Sequence, residues 1–113
     1  MTKIERVPGH ARGRCRIVTY GQLVWTVATG QGTTVAEQTE NTLAQLGANL
    51  EEAGSSKAQI VDATVYLTDM ASKPEMDAVW CSWIPDDGWP CRACVGTNLA
   101  PGDLVEIKVT AVR

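Results

Sequence analysis

The run Leu23-Val24-Trp25-Thr26-Val27-Ala28 is apolar at nearly every position, and it constrains the fold more than any other segment. A strand with one wet face alternates apolar and polar residues, because successive side chains point to opposite sides of the sheet. A continuous apolar run reads instead as a strand covered on both faces. The rest of the chain supplies two helical patterns, enough for one layer over one face. The other face needs a cover from outside the chain, and another copy of the same chain is the simplest one. Length points the same way. A chain of 113 residues fits a single domain spanning 1–113. A domain of this size buries only about two thirds of the surface its unfolded chain exposes, so subunit contacts would help it.

The elements on either side follow from local signals. Residues 1–13 are polar around Pro8-Gly9 and are expected to form an irregular arm. Cys15 to Thr19 and Leu23 to Thr29 read as two strands joined by a tight turn at Gly21. Thr34 followed by Glu37 forms a capping-box pattern at the start of a helix over 35–53. Ala36, Leu43, Leu46 and Leu50 make its apolar stripe, and Gly54 sits where a helix commonly closes in the left-handed conformation. Gln59 to Leu67 alternates as a third strand, with Val61, Ala63, Val65 and Leu67 on one face. A second helix opens at Ser72, with Pro74 early and Glu75 as capping partner, and it buries Met76, Val79, Trp80 and Trp83 before Pro85 stops it. Arg92 to Thr97 and Leu104 to Val112 complete an order β-β-α-β-α-β-β. The expected class is α+β, a mixed sheet with both helices on one face.

Composition narrows the function. A net charge of −3 argues against a general nucleic-acid or acidic-membrane binder. No apolar run approaches the roughly 18 residues that span a bilayer. The opening MTKIERVPGHARGR has no apolar core of a secretory signal, so a cytoplasmic location is expected. Cys15, Cys81, Cys91 and Cys94 are then expected as reduced thiols. Cys91 and Cys94 have C-x-x-C spacing, but in an extended strand they point to opposite faces, so no metal site is expected. Arg12, Arg14 and Arg16 alternate as if along one strand face, and a solvated edge is the plain reading. His10 reads as exposed in the arm. Trp25, Trp80 and Trp83 read as core or subunit packing, and Trp89, in a loop beside Pro90, as a residue lining a cleft mouth.

Two charged residues sit where charge is unexpected. Arg92 lies in a strand of small or apolar residues and shares its face with Cys94 and Gly96. Its guanidinium stays charged inside a protein and needs an anion. That anion is either a bound carboxylate, held by two parallel hydrogen bonds, or a protein carboxylate in a structural salt bridge. Glu106 lies between Val105 and Ile107. A half-buried carboxylate there positions a water or shuttles a proton; otherwise it pairs with Arg92 or faces solvent.

Pro90-Cys91-Arg92-Ala93-Cys94-Val95, then Pro101, then Val105-Glu106-Ile107 and Ala111-Val112, resemble the C-terminal strands of the RidA/YjgF family. The helix from Gln38 to Leu46, the Ala53-Gly54 turn, the strand Val61 to Met70 and the helix with Met76, Val79 and Trp80 resemble the family's preceding segments. The resemblance runs from about Thr34 to Arg113 and is closest to a short YoaB- or YjgH-like branch. It implies a chorismate-mutase-like fold, a homotrimer with active sites in clefts between subunits, and hydrolysis of 2-imino or 2-amino-enoic acids to 2-oxo acids and ammonia. Such intermediates arise from pyridoxal-phosphate enzymes acting on serine or threonine. By the same resemblance, Arg92 grips the small-molecule carboxylate, the Cys94 backbone N–H adds a donor, and Glu106 holds the attacking water. No cofactor is implied, because an iminium carbon is already electrophilic. The family's hydroxyl-Gly-Gln segment aligns either with Thr29-Gly30-Gln31 or, in another register, with Val27 at the hydroxyl position. The family's P-Y-x-Q segment is absent, and Arg12-Gly13-Arg14-Cys15 stands in that region.

Overall fold

The computed structural model describes residues 2–113. Its strands are β1 (Glu5–Pro8), β2 (Cys15–Tyr20), β3 (Leu23–Ala28), β4 (Ile60–Leu67), β5 (Cys91–Gly96) and β6 (Val105–Val112), and its helices are α1 (Val35–Glu52) and α2 (Lys73–Trp83). They form one six-stranded sheet in the order β1-β2-β3-β6-β4-β5. Only β4 and β5 pair in parallel; every other pairing is antiparallel. The expected class, α+β with a mixed sheet and two helices, is the class observed. The expected order lacks one strand. Glu5–Pro8 of the arm is not irregular but pairs with β2 and forms the edge strand on that side of the sheet.

The helices cover one sheet face. Val24, Thr26 and Ala28 of β3, Ala63, Val65 and Leu67 of β4, and Val105, Ile107, Val109 and Ala111 of β6 are buried beneath Leu43, Leu46 and Leu50 of α1 and Met76 and Trp80 of α2. Val61 does not join that face. The register slips between Ile60 and Asp62, so Ile60 turns inward and Val61 is left 47% exposed; an extra residue in a ladder re-aims its neighbours in this way. The opposite face carries Leu23, Trp25 and Val27 of β3 and Tyr66 of β4, none of them fully buried. Among the described residues no helix lies over it, and they span only 19 Å along the shortest axis, about the depth of a sheet plus one helical layer.

The first helix begins as its capping pattern requires. The Thr34 side chain accepts the Glu37 N–H at 3.1 Å, while the Glu37 carboxylate reaches back to Thr33 rather than to Thr34. The chain leaves α1 through Gly54 at φ +82°. The second helix does not use its expected capping partner. Glu75 instead accepts the N–H of Ala36 at 2.7 Å. It thereby caps the start of α1 from a neighbouring helix, where backbone donors are free and a negative charge is favoured. Among the described residues, no helix is long and apolar enough to cross a membrane.

Candidate functional site

The end of the sheet where β3 runs out and β6 begins holds an open cleft of about 800 Å³. Val27, Thr29 and Glu106 all border it, so both registers for the hydroxyl position lead to the same place. Glu106 is half-buried on the uncovered sheet face, opposite Tyr66 in the ladder. His10 of the arm, Arg14 just before β2 and Cys15 at the start of β2 also border the cleft. Arg12 and Arg14 lie in the turn before β2 rather than along it, so the expected three-arginine strand face does not form.

Gly30, between the cleft residues Thr29 and Gln31, does not itself border the cleft but packs against α1. A Cβ there would meet the Thr42 nitrogen at 2.5 Å and the Gln38 carbonyl oxygen at 2.7 Å, so only glycine lets the chain after β3 press against α1. Two buried polar residues of α1, unnoticed as site residues in the sequence, brace the surroundings. Gln38 donates from Nε2 to the carbonyls of Gly32 at 3.1 Å and Gly102 at 2.9 Å, and its Oε1 accepts the Leu104 N–H at 2.8 Å. It therefore ties together the two loops that carry the cleft residues Gln31 and Asp103. Asn49 donates to the Thr26 hydroxyl at 3.0 Å and accepts from Arg16 at 2.9 Å, while Arg16 also pairs with Glu52 at 3.0 Å. The signal for both was a polar residue on the buried side of an apolar stripe.

Arg92 and Cys94 are elsewhere. They sit on the edge strand β5, beyond β4, in register with Ala63 and Val65 and so on the helix-covered face. Within one chain the structure does not bring Arg92 to Glu106, because their side chains leave opposite faces of the sheet. The Arg92 guanidinium lies over the Trp80 ring at 5.3 Å and donates from Nη2 to Asp77 Oδ1 at 2.7 Å. The second Asp77 oxygen takes Lys73 Nζ at 2.7 Å. Burial pushes the Asp77 carboxyl up, but hydrogen bonds and charge from Lys73 and Arg92 outweigh it and hold the group below its ordinary value. Of the two anions considered for Arg92, the one present is a protein carboxylate. Cys94 packs against the core, and β5, as an edge strand, leaves part of its backbone hydrogen-bonding capacity unused. Trp89 is 74% exposed and does not border the cleft of its own chain. The four cysteines are unpaired, and no cluster of three metal-ligating side chains occurs among the described residues.

The fold and these sites define a small α+β protein with one bare sheet face, a carboxylate-bearing cleft and an arginine on an edge strand. The profile of the family described as Endoribonuclease L-PSP matches residues 10–113. The RutC family protein YoaB of Escherichia coli strain K12 is 43% identical over 76 residues, which cover 66% of this chain and 67% of that protein. A RutC family protein of Haemophilus ducreyi is 35% identical over 86 residues, 75% of this chain and 74% of its own length. The crystal structure of a YjgF-family protein from Neisseria meningitidis superposes with a TM-score of 0.93 at 38% identity, covering 98% of this chain and 95% of that one. The chain belongs to this family, the RidA/YjgF group, and to its YoaB-like branch.

Proposed function

We propose that the protein hydrolyses reactive 2-imino and 2-amino-enoic acids to 2-oxo acids and ammonia, in the cytoplasm, at clefts between the copies of a homotrimer. The observation that carries this reading is the convergence of Glu106 and Thr29 on one open cleft beside a bare sheet face. Arg92 lies on the edge strand β5 and leaves the helix-covered face of the same sheet, so it would reach that cleft only from a neighbouring copy. Family membership supports the same arrangement.

In this reading Arg92 binds the substrate carboxylate and fixes the C=N carbon near Glu106. The backbone N–H of Cys94 adds a donor, the Thr29 hydroxyl lines the opposite wall with Gly30 behind it, and Trp89 of the neighbouring copy closes the mouth. Glu106 takes a proton from water as its oxygen bonds to the iminium carbon. The carbinolamine then collapses: the nitrogen, given that proton by Glu106, leaves as ammonia, and the hydroxyl becomes the 2-oxo group as its own proton passes back to the Glu106 carboxylate. An iminium carbon is electrophilic enough that orientation and a placed base supply the catalysis.

A second reading is favoured by the Arg92–Asp77 pair. With its arginine already holding a carboxylate, the protein would be a non-catalytic trimeric module for a small carboxylate metabolite or a protein partner. Ammonia release from freshly generated 2-iminopropanoate separates the two. Wild type is expected to accelerate it. Arg92→Ala should lose roughly 10- to 150-fold in kcat/KM, since a hydrogen bond to a charged group contributes about 1.5–3 kcal/mol. Glu106→Gln should lose about 10²–10⁴-fold in kcat. An inactive wild type that still binds 2-oxobutanoate would establish the module instead.

A further inference from the structure

We propose that Asp77 is a positioning residue for the carboxylate-binding arginine, and that Lys73 keeps that site cationic. The inference rests on the reading in which Arg92 receives a substrate carboxylate, and it names what prepares Arg92 to do so.

The geometry is that of a partly used guanidinium. Arginine has five N–H donors in a planar fork. Asp77 engages one nitrogen through a single oxygen at 2.7 Å, and among the described residues the guanidinium's one other hydrogen bond runs from Nη1 to the Met76 sulfur at 3.7 Å, a weak acceptor. The pairing is therefore end-on rather than two-pronged, and donors including Nε–H remain for a second carboxylate. The Trp80 ring beneath the guanidinium restrains its plane.

Charge explains why an arginine that already has a partner would still attract an anion. Asp77 shares its negative charge between Arg92 and Lys73, one oxygen to each. The three groups sum to one positive charge. Without Lys73, an incoming carboxylate would face a neutral pair with an acid group in it. The alternative role for Asp77 is a plug that the ligand must displace. The two roles predict opposite signs, because removing a plug strengthens binding and removing a positioning group weakens it.

The test uses the intact protein, with 2-oxobutanoate as the binding probe by calorimetry and 2-iminopropanoate turnover for kinetics. Asp77→Asn is expected to raise both Kd and KM about tenfold with kcat changed less than threefold, as lost orientation of a binding group would do. Asp77→Glu should recover most of the loss. Lys73→Ala, at the partly exposed start of α2, should raise Kd in the same direction while its melting curve stays cooperative, which separates the effect from misfolding. Tighter binding by Asp77→Asn, or an unchanged Kd in both variants, overturns the proposal. A wild type that binds 2-oxobutanoate but releases no ammonia defeats the deaminase reading while leaving Kd to decide on Asp77. A wild type that does neither defeats both.

Discussion

A Cβ at position 30 would stand 2.5 Å from the Thr42 nitrogen, closer than van der Waals contact permits, so Gly30→Ala must push the chain after β3 away from α1. Overpacking of this kind costs about 1–3 kcal/mol, and urea unfolding of the variant should show a loss in that range. Gln38 makes the complementary point. Its three hydrogen bonds serve backbone groups of two loops, and no side chain of another shape replaces them. Gln38→Leu should cost about 1–3 kcal/mol for each polar group left buried and unpaired. The Leu104 amide, which loses its acceptor, should exchange with deuterium markedly faster than in wild type.

At the level of elements, charge near the start of α2 ties that helix to both α1 and β5. Glu75 of α2 caps the first turn of α1, and Lys73 and Arg92 converge on Asp77. The Asp77 carboxyl has a folded-state pKa below its ordinary value of 3.8. The unfolded chain therefore takes up this proton more readily than the folded one. The stability the group contributes is complete above the unfolded value and is lost as pH falls through the folded one. Melting temperatures from pH 7 to 3 should fall more steeply below about pH 4 for wild type than for Asp77→Asn. The pair is partly exposed, so its contribution should be at most about 1 kcal/mol. Thr34→Ala, which removes the cap of α1, should cost about 1 kcal/mol independently of pH in that range.

For the molecule as a whole, the bare face and the separation of Arg92 from Glu106 call for the same arrangement. If three copies bury that face, sedimentation should give three times the chain mass of 12.1 kDa. Trp25→Glu, which places a charge in the middle of the face, should yield monomers without ammonia release. Mixing the impaired Arg92→Ala and Glu106→Gln variants after mild dissociation should raise activity above that of either alone, because some seams then pair an intact arginine from one copy with an intact glutamate from another. No recovery would show that Arg92 and Glu106 do not come together from different copies.

Much of this protein was legible in its sequence because the signals are local. The continuous apolar run of β3, the Thr34 cap, the stripe of leucines in α1 and the stop at Pro85 depend on neighbours within a few residues, and the structure forms each element where those neighbours require. The family was legible for a similar reason, since the strands around Arg92 and Glu106 carry their motifs contiguously. Residues far apart in sequence had no such signal. The strand at Glu5–Pro8 exists because β2 offers it an edge, and Val61 is exposed because a slip in the ladder reverses its face. Asp77 was invisible as the partner of Arg92, because only the parallel pairing of β5 with β4 carries that arginine beneath α2. Contacts of that kind are chosen by which faces the packed sheet and helices bury together, and no short stretch of chain encodes that choice.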